Sequence, residues 1–108
     1  MITAAELDAF LQTFTDAQKS YPFKPTLAVY KIGDAMFALL QEDVNPVRIS
    51  LRCDPQLAQI LRDKYETILP GQNLNPKQWN TVICSGQLTI DEVFDLIRHA
   101  HHLVSTAA

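Results

Sequence analysis

Residues 47–53 alternate between apolar and polar side chains, and this pattern constrains the fold more than any other feature of the chain. The apolar positions are Val47, Ile49, Leu51 and Cys53, and the polar positions are Arg48, Ser50 and Arg52. Successive side chains of a strand point to opposite faces, so this pattern predicts a strand with one buried and one polar face. Such strands are typical of antiparallel sheets that are covered on one side only. The Asp54-Pro55 pair predicts a helix directly afterwards, because aspartate caps helices and proline suits their first turn.

The rest of the chain predicts an α+β fold. Thr3 and Glu6 form the capping box of a first helix, whose apolar stripe runs to Ala17 before Pro22 and Pro25 end it. Strands are predicted over residues 27–32, 36–41, 47–53 and 79–84, an irregular segment over 67–78, and a last helix over 89–105. The order α-β-β-β-α-β-α describes a two-layer sandwich, with helices on one face of a mainly antiparallel sheet and the other face open.

Length and composition predict a single globular domain over residues 1–108. Apolar residues make up 47% and charged residues 19%, which excludes the composition of a disordered chain. The longest apolar run spans only residues 35–40, whereas a membrane span needs about 20 residues. Because the N-terminus also lacks the basic start of a secretory signal, we expect a cytoplasmic protein that does not associate with membranes.

Basic residues on the polar sheet face indicate one kind of partner. Arg48 and Arg52 share a strand, and Lys77 precedes the last strand. The apolar pattern of residues 27–32 is ambiguous in phase, so it allows Lys31 on this face or on the other one. Such a set can follow a phosphate backbone, since much of the affinity for DNA comes from phosphate neutralisation. The net charge of −3 excludes a strongly basic protein but not a local basic surface. The alternative is a solvated face whose charges only keep the protein soluble.

The loop of residues 71–80 is unusually rich in side-chain amides. Its amides are Gln72, Asn73, Asn75, Gln78 and Asn80, and Lys77 and Trp79 lie among them. Amides both donate and accept hydrogen bonds, so they can contact bases or brace the backbone of a loop. Trp79 can likewise stack on a base or anchor the loop in the core. We predict that Trp79 and Asn80 lie near bound bases or order the loop.

The motifs of this loop resemble those of the MmcQ/YjbR-like family of small bacterial proteins. The resemblance rests chiefly on Pro70-Gly71 followed by Leu74-Asn75-Pro76-Lys77-Gln78-Trp79-Asn80-Thr81, and it extends from Pro22-Phe23 to Leu103-Val104. It implies a fold like that of frataxin or the secretion chaperones, with a "double-wing" DNA-binding arrangement and no associated enzymatic activity. The chain departs from the family pattern, because Gln72-Asn73 stand in place of Tyr-His, Gln78 in place of His, and His101-His102 in place of Ser-Tyr.

No other group of residues predicts catalysis or a cofactor. His99 and His102 have a spacing that can share a metal ion, but a zinc site needs three or four ligands, so we expect no metal. Cys53 and Cys84 are predicted to be buried, inert thiols. The first hypothesis, which rests mainly on the family resemblance, is a non-enzymatic DNA-binding protein that uses Lys31, Arg48, Arg52 and Lys77. The alternative is a module that binds a protein or small ligand on the open sheet face.

Overall fold

A computed structural model describes residues 1–106, which form three helices and six strands. The helices are α1 (Ala4–Leu11), α2 (Pro55–Lys64) and α3 (Ile90–Thr106). The strands are β1 (Gln18–Ser20), β2 (Leu27–Ile32), β3 (Ala35–Gln41), β4 (Arg48–Arg52), β5 (Ile68–Pro70) and β6 (Trp79–Ile83). The predicted domain of residues 1–108 includes residues 107 and 108, which lie outside the described part of the chain.

The six strands form one sheet in the order β1-β2-β3-β4-β6-β5, with every neighbouring pair antiparallel. β4 lies near the centre, where Ser50 pairs with Leu39 of β3 and with Thr81 of β6. The helices pack on one face of this sheet, so the predicted α+β architecture is confirmed. No helix within residues 1–106 is long and apolar enough to cross a membrane.

The first helix is shorter than its apolar pattern predicts. It ends at Leu11, and the N–H groups of Thr13 and Phe14 bond to carbonyls only three residues back, which closes a tight turn. Phe14 and Ala17 still pack against the core, but from an irregular segment that leads into β1. The prediction of one helix to Ala17 is wrong because these apolar positions reflect tertiary packing and not continued helical spacing.

The segment of residues 67–78, predicted to be irregular, contains the edge strand β5. Ile68 pairs with Val82 of β6 and is buried in the core. Pro70 is tolerated because edge strands leave some N–H groups unpaired. The chain therefore has two short edge strands, β1 and β5, that the predicted element order omits.

The main core lies between the helices and the sheet, and helix caps fix the ends of its elements. Thr3 and Glu6 form the predicted capping box, and the Asp54 carboxylate accepts from the N–H groups of Gln56 and Leu57. Thr89 and Glu92 cap α3 reciprocally. These caps set where the helices begin, and the apolar stripes that follow them cover one sheet face.

Candidate functional site

The face of the sheet that the helices leave uncovered, here called the open face, carries three of the predicted basic residues. Arg48 and Arg52 alternate along β4 with the buried Ile49 and Leu51, so both point away from the helices. Lys31 of β2 pairs with Met36 beyond a bulge, and Met36 packs on the open face. Lys31, Arg48 and Arg52 are thus brought together on one surface.

The open face also has a small apolar cluster of its own, which the sequence did not indicate. Val29, Leu39 and Trp79 are buried there, and Leu27, Met36 and Leu74 pack against them. Leu74 comes from residues 71–78, here called the covering loop, which folds back over the sheet. The centre of the open face is therefore covered by this loop, and the basic residues surround it.

Gly71 permits the close approach of the covering loop. A Cβ atom at this position would lie 2.5 Å from Cβ of Trp79, which is too short for two carbon atoms that are not bonded. Only glycine, which has no Cβ atom, fits here without a shift of the backbone. The Gly71 N–H also donates to the Trp79 carbonyl at 2.9 Å. The Pro70-Gly71 and Trp79 parts of the family motif therefore meet in space and hold the two ends of the loop together.

The sequence allowed Trp79 either to stack on a base or to anchor the loop, and in the structure it anchors the loop. Its side chain is 5% exposed and belongs to the apolar cluster. The Arg52 guanidinium lies over the ring, with its carbon 5.8 Å from the ring centroid. Trp79 consequently supports Arg52 and the covering loop, and its ring is not free to stack on a base.

Asn80 lies on the opposite face from the basic residues. It is 2% exposed, its Nδ2 donates to the Ala58 carbonyl at 3.2 Å, and its Oδ1 accepts from Arg62 at 3.3 Å. The structure thus separates Asn80 from Lys31, Arg48 and Arg52, and a ligand on the open face does not reach it. Its amide braces β6 against α2.

Lys77 is exposed in the second half of the covering loop. Its backbone N–H donates to the Asn75 side chain at 3.0 Å, and the Pro76 carbonyl accepts from Arg62 at 2.7 Å. The Gln78 carbonyl accepts from the Cys53 N–H at 2.8 Å. These bonds fasten the loop to the sheet and to α2, so Lys77 extends from an ordered backbone at one end of the sheet.

A groove lies between the first half of the covering loop and the open face. Its volume is about 120 Å³. The lining residues are Lys24, Thr26, Leu27, Leu39, Gln41, Asp43, Arg48, Ser50, Gln72, Asn73, Leu74 and Thr81. The Ser50 and Thr81 hydroxyls bond to each other at 2.8 Å, and Thr81 Oγ1 accepts from the Gln72 N–H at 3.3 Å.

Several polar groups of this groove are available to a ligand. The side-chain amides of Gln41, Gln72 and Asn73 have no hydrogen-bond partner within the described residues. Asn73 has a positive φ of 59°, which is uncommon for a residue other than glycine. The sequence analysis singled out Gln72 and Asn73 but missed Lys24, Gln41 and Thr81. The signals for this site were the amides of the loop and the alternation of β4, which had placed Ser50 on the same face as Arg48.

Charges are distributed unevenly between the two layers. Five cations lie on the open face or in the loops beside it, namely Lys24, Lys31, Arg48, Arg52 and Lys77. None has a carboxylate partner within the described part of the chain. The helices and their caps, in contrast, carry most of the acidic residues, such as Glu6, Asp54 and Glu92. Cations without carboxylate partners on one surface can attract anions even where the net charge of the chain is −3.

Both cysteines and two of the histidines, His99 and His101, occupy structural positions. Burial raises the pKa of both Cys53 and Cys84 to about 11, which keeps the thiols protonated and unreactive. His99 Nε2 accepts from the Asp54 N–H at 3.1 Å, and His101 bonds Asp16 at 2.8 Å. No group of three metal-binding side chains occurs within the described residues.

A sequence model of the YjbR family matches residues 12–103. The chain belongs to the YjbR family. It is 28% identical to the uncharacterised protein YjbR of Escherichia coli K12, over 89% of this chain and 81% of that protein. It is 33% identical to the uncharacterised protein YbdF of Escherichia coli O157:H7, over 78% of this chain and 69% of that protein.

Solved structures of similar proteins share the fold of this YjbR family member. The crystal structure of Deinococcus radiodurans protein DR2400, which carries domain DUF419, superimposes with a TM-score of 0.91 and 30% identity. The match covers 97% of this chain and 80% of DR2400. A Pseudomonas syringae crystal structure superimposes with a TM-score of 0.81 and 26% identity, over 94% and 98% of the two chains. The resemblance found in the loop motif is thus confirmed for nearly the whole chain.

Proposed function

We propose that this YjbR family member is a non-enzymatic DNA-binding protein that contacts the phosphate backbone through its open face. The observation that carries the proposal is the set of cations on and beside that face, none of which has a carboxylate partner in the described residues. Unpaired cations on one surface can exchange their counterions for phosphates, and this exchange supplies most sequence-independent affinity for DNA.

The spacing of the basic residues supports contact with an extended polyanion. Arg48 and Arg52 are four residues apart on β4, which places their backbones roughly 13 Å apart along the strand. Lys31 lies two strands away, and Lys24 and Lys77 lie in the loops. Because the charges are spread over a surface and not gathered at one point, several phosphates can be contacted at once. About four such contacts give modest binding that depends steeply on salt.

The experiment measures binding of a labelled DNA duplex by fluorescence anisotropy at about 50 mM and about 200 mM salt. Wild type is compared with an Arg48→Ala/Arg52→Ala double variant. The matched control is Lys64→Ala/Arg98→Ala, which removes the same charge from the exposed surface of the helical layer. We expect salt-sensitive binding that the open-face variant weakens and the control leaves nearly unchanged. Equal loss in both variants would refute the proposal, and so would the absence of binding at low salt both to the duplex and to its separate strands.

One observation favours the alternative of a small-ligand module, and that is the groove beside Arg48. A duplex that fails to bind at low salt, together with a small anion that binds there, would favour this alternative.

A further inference from the structure

We propose that the groove receives one unpaired nucleotide of a single-stranded nucleic acid, with its base among the amides and its phosphate beside Arg48. This inference rests on the proposed function, since it names the form of nucleic acid that the same surface prefers. It begins from the size of the groove. Its volume of about 120 Å³ lies below the roughly 300 Å³ at which pockets for drug-sized ligands begin. It therefore admits a single ring-sized group, whereas a base inside a duplex cannot enter it.

The lining of the groove fits the edge and faces of a nucleobase. The side chains of Gln41, Gln72 and Asn73 offer three amides with no partner in the described residues, and each amide can donate and accept. Such paired donors and acceptors match the edges of bases, which are exposed only when a strand is unpaired. Leu27, Leu39 and Leu74 supply an apolar surface for the faces of the ring.

The charged residues of the groove fit the remainder of a nucleotide. Arg48 and Lys24 have no carboxylate partner within the described residues, so they can bind the phosphate. Asp43 is the carboxylate among the lining residues, and it can accept a hydrogen bond from an exocyclic amino group of a base. The groove thus combines two cations with base-edge partners on the surface that carries Lys31 and Arg52.

The backbone of Asn73 provides a clean way to test the site. Its φ of 59° suits glycine, so Asn73→Gly removes the amide while the covering loop keeps its conformation. Gln41 lies on β3, outside the covering loop, so Gln41→Ala removes a second amide independently. Because the Gln41→Ala/Asn73→Gly variant removes no charged group, we expect its phosphate contacts to be the same as those of wild type. Thermal unfolding of the variant checks that the fold is kept.

The experiment compares a single strand of roughly 15 nucleotides with a duplex of the same sequence, by anisotropy at one salt concentration. Wild type should bind the single strand about tenfold more tightly than the duplex. The groove variant should lose this preference and bind the duplex as tightly as wild type does. Arg52→Ala should instead weaken the binding of both the single strand and the duplex. An equal preference in wild type and groove variant would overturn the inference and leave the proposed function standing. Absence of binding to both ligands would instead refute the proposed function.

A competition experiment distinguishes a site for a nucleotide within a strand from a site for a free nucleotide. Deoxycytidine monophosphate, whose base carries the exocyclic amino group that Asp43 can accept from, is added as a competitor to the complex with the single strand. We expect weak competition, because the strand also contacts cations outside the groove. Full displacement at a nucleotide concentration equal to that of the strand would show a mononucleotide site and overturn the inference.

Discussion

The guanidinium of Arg52 lies over the ring of Trp79, and the two residues face each other across β4 and β6. The Arg52 Nε is buried and has no hydrogen-bond partner within the described residues. The contact with the ring limits the positions open to the guanidinium, so less conformational freedom is lost when a phosphate of the proposed ligand binds. Trp79 thereby connects the apolar cluster of the open face to one of its proposed phosphate contacts.

Arg52→Ala should reduce the salt dependence of the proposed DNA binding, with only a small change in the free energy of unfolding. We expect Arg52→Ala to weaken duplex binding by about 1 kcal/mol and to reduce the slope of log affinity against log salt by about one. Arg52→Lys should retain the slope, because it retains the charge, but lose part of the affinity, because an ammonium group cannot make the paired hydrogen bonds of a guanidinium to a phosphate. Binding isotherms at several salt concentrations measure both quantities. An Arg52→Ala slope equal to that of wild type would exclude Arg52 from the interface.

A methyl group at position 71 should disturb the covering loop. Its Cβ would meet Cβ of Trp79 at 2.5 Å, so Gly71→Ala requires a shift of β6 or of the loop. We expect a loss of about 1–3 kcal/mol in the free energy of unfolding and a change in Trp79 fluorescence.

Gly33 provides the control for this prediction. It has a positive φ of 58° and open space around it, and asparagine tolerates that conformation. Gly33→Asn should therefore cost less than Gly71→Ala when urea titration measures the free energy of unfolding of both variants. If Gly71→Ala costs no more than Gly33→Asn, the loop does not approach Trp79 as closely as described.

The buried amide of Asn80 should matter for stability and not for DNA binding. Asn80→Ala removes the donor to the Ala58 carbonyl and the acceptor for Arg62, and we expect a cost of about 1–3 kcal/mol in unfolding free energy. Urea titration measures this cost, and Gln78→Ala is the comparison, because its exposed side-chain amide has no hydrogen-bond partner within the described residues. A selective loss of DNA affinity in folded Asn80→Ala protein would restore Asn80 to the binding surface.

The sequence predicted the elements whose signals are local. The alternation of residues 47–53 corresponds to β4 and its flanks, and the caps at Thr3, Asp54 and Thr89 mark the three helix starts. The edge strand β1 was missed because Phe14 continues the helical apolar spacing although it packs from a turn. Its ring stacks on His101 with centroids 4.1 Å apart, a contact between distant parts of the chain that no local pattern contains.

The candidate site was predicted only in part for the same physical reason. Alternation along β4 placed Arg48 and Arg52 correctly on the uncovered face. The same rule, applied to β6, places Asn80 with Val82 on the helix-covered face, so its position was predictable from the alternation. The groove was not predictable, because it forms only when Leu74 folds back onto a sheet face whose apolar cluster comes from β2, β3 and β6.

The thiols of Cys53 and Cys84 should react rapidly with a thiol reagent only when the protein unfolds. Burial raises the pKa of Cys53 and Cys84 to about 11, so roughly a thousandth of each is thiolate at about pH 8. We expect an aromatic disulfide reagent to label them slowly in native buffer and rapidly in denaturant. Labelling of native protein as fast as a small free thiol would contradict their burial.

Stability should fall in acid partly through Asp8. Burial alone would raise the pKa of its carboxyl, but the Tyr30 hydroxyl and Lys19 outweigh burial and lower it below the usual 3.8. A lowered carboxyl pKa contributes stability that is complete above the unfolded value and is lost as pH falls through the folded value.

Asp8→Asn should therefore cost roughly 1 kcal/mol near neutral pH, and the difference from wild type should shrink below pH 3.8. Tyr30→Phe is the companion variant, because it removes one donor to Asp8 and keeps the buried ring. Urea titrations across this pH range measure the difference. If the difference in unfolding free energy between Asp8→Asn and wild type stays constant as the pH falls below 3.8, Asp8 acts through packing and not through its charge.

The basic open face and the acidic helices α1 and α3 lie on opposite faces of the sheet, so their charges contribute a dipole moment across it. In the field of a polyanion, a body with net charge −3 is repelled as a whole, yet a torque turns its open face toward the source. That torque acts within about one Debye length, roughly 10 Å at 0.1 M salt. The protein would therefore meet a nucleic acid in one orientation, already selected before any side chain touches a phosphate.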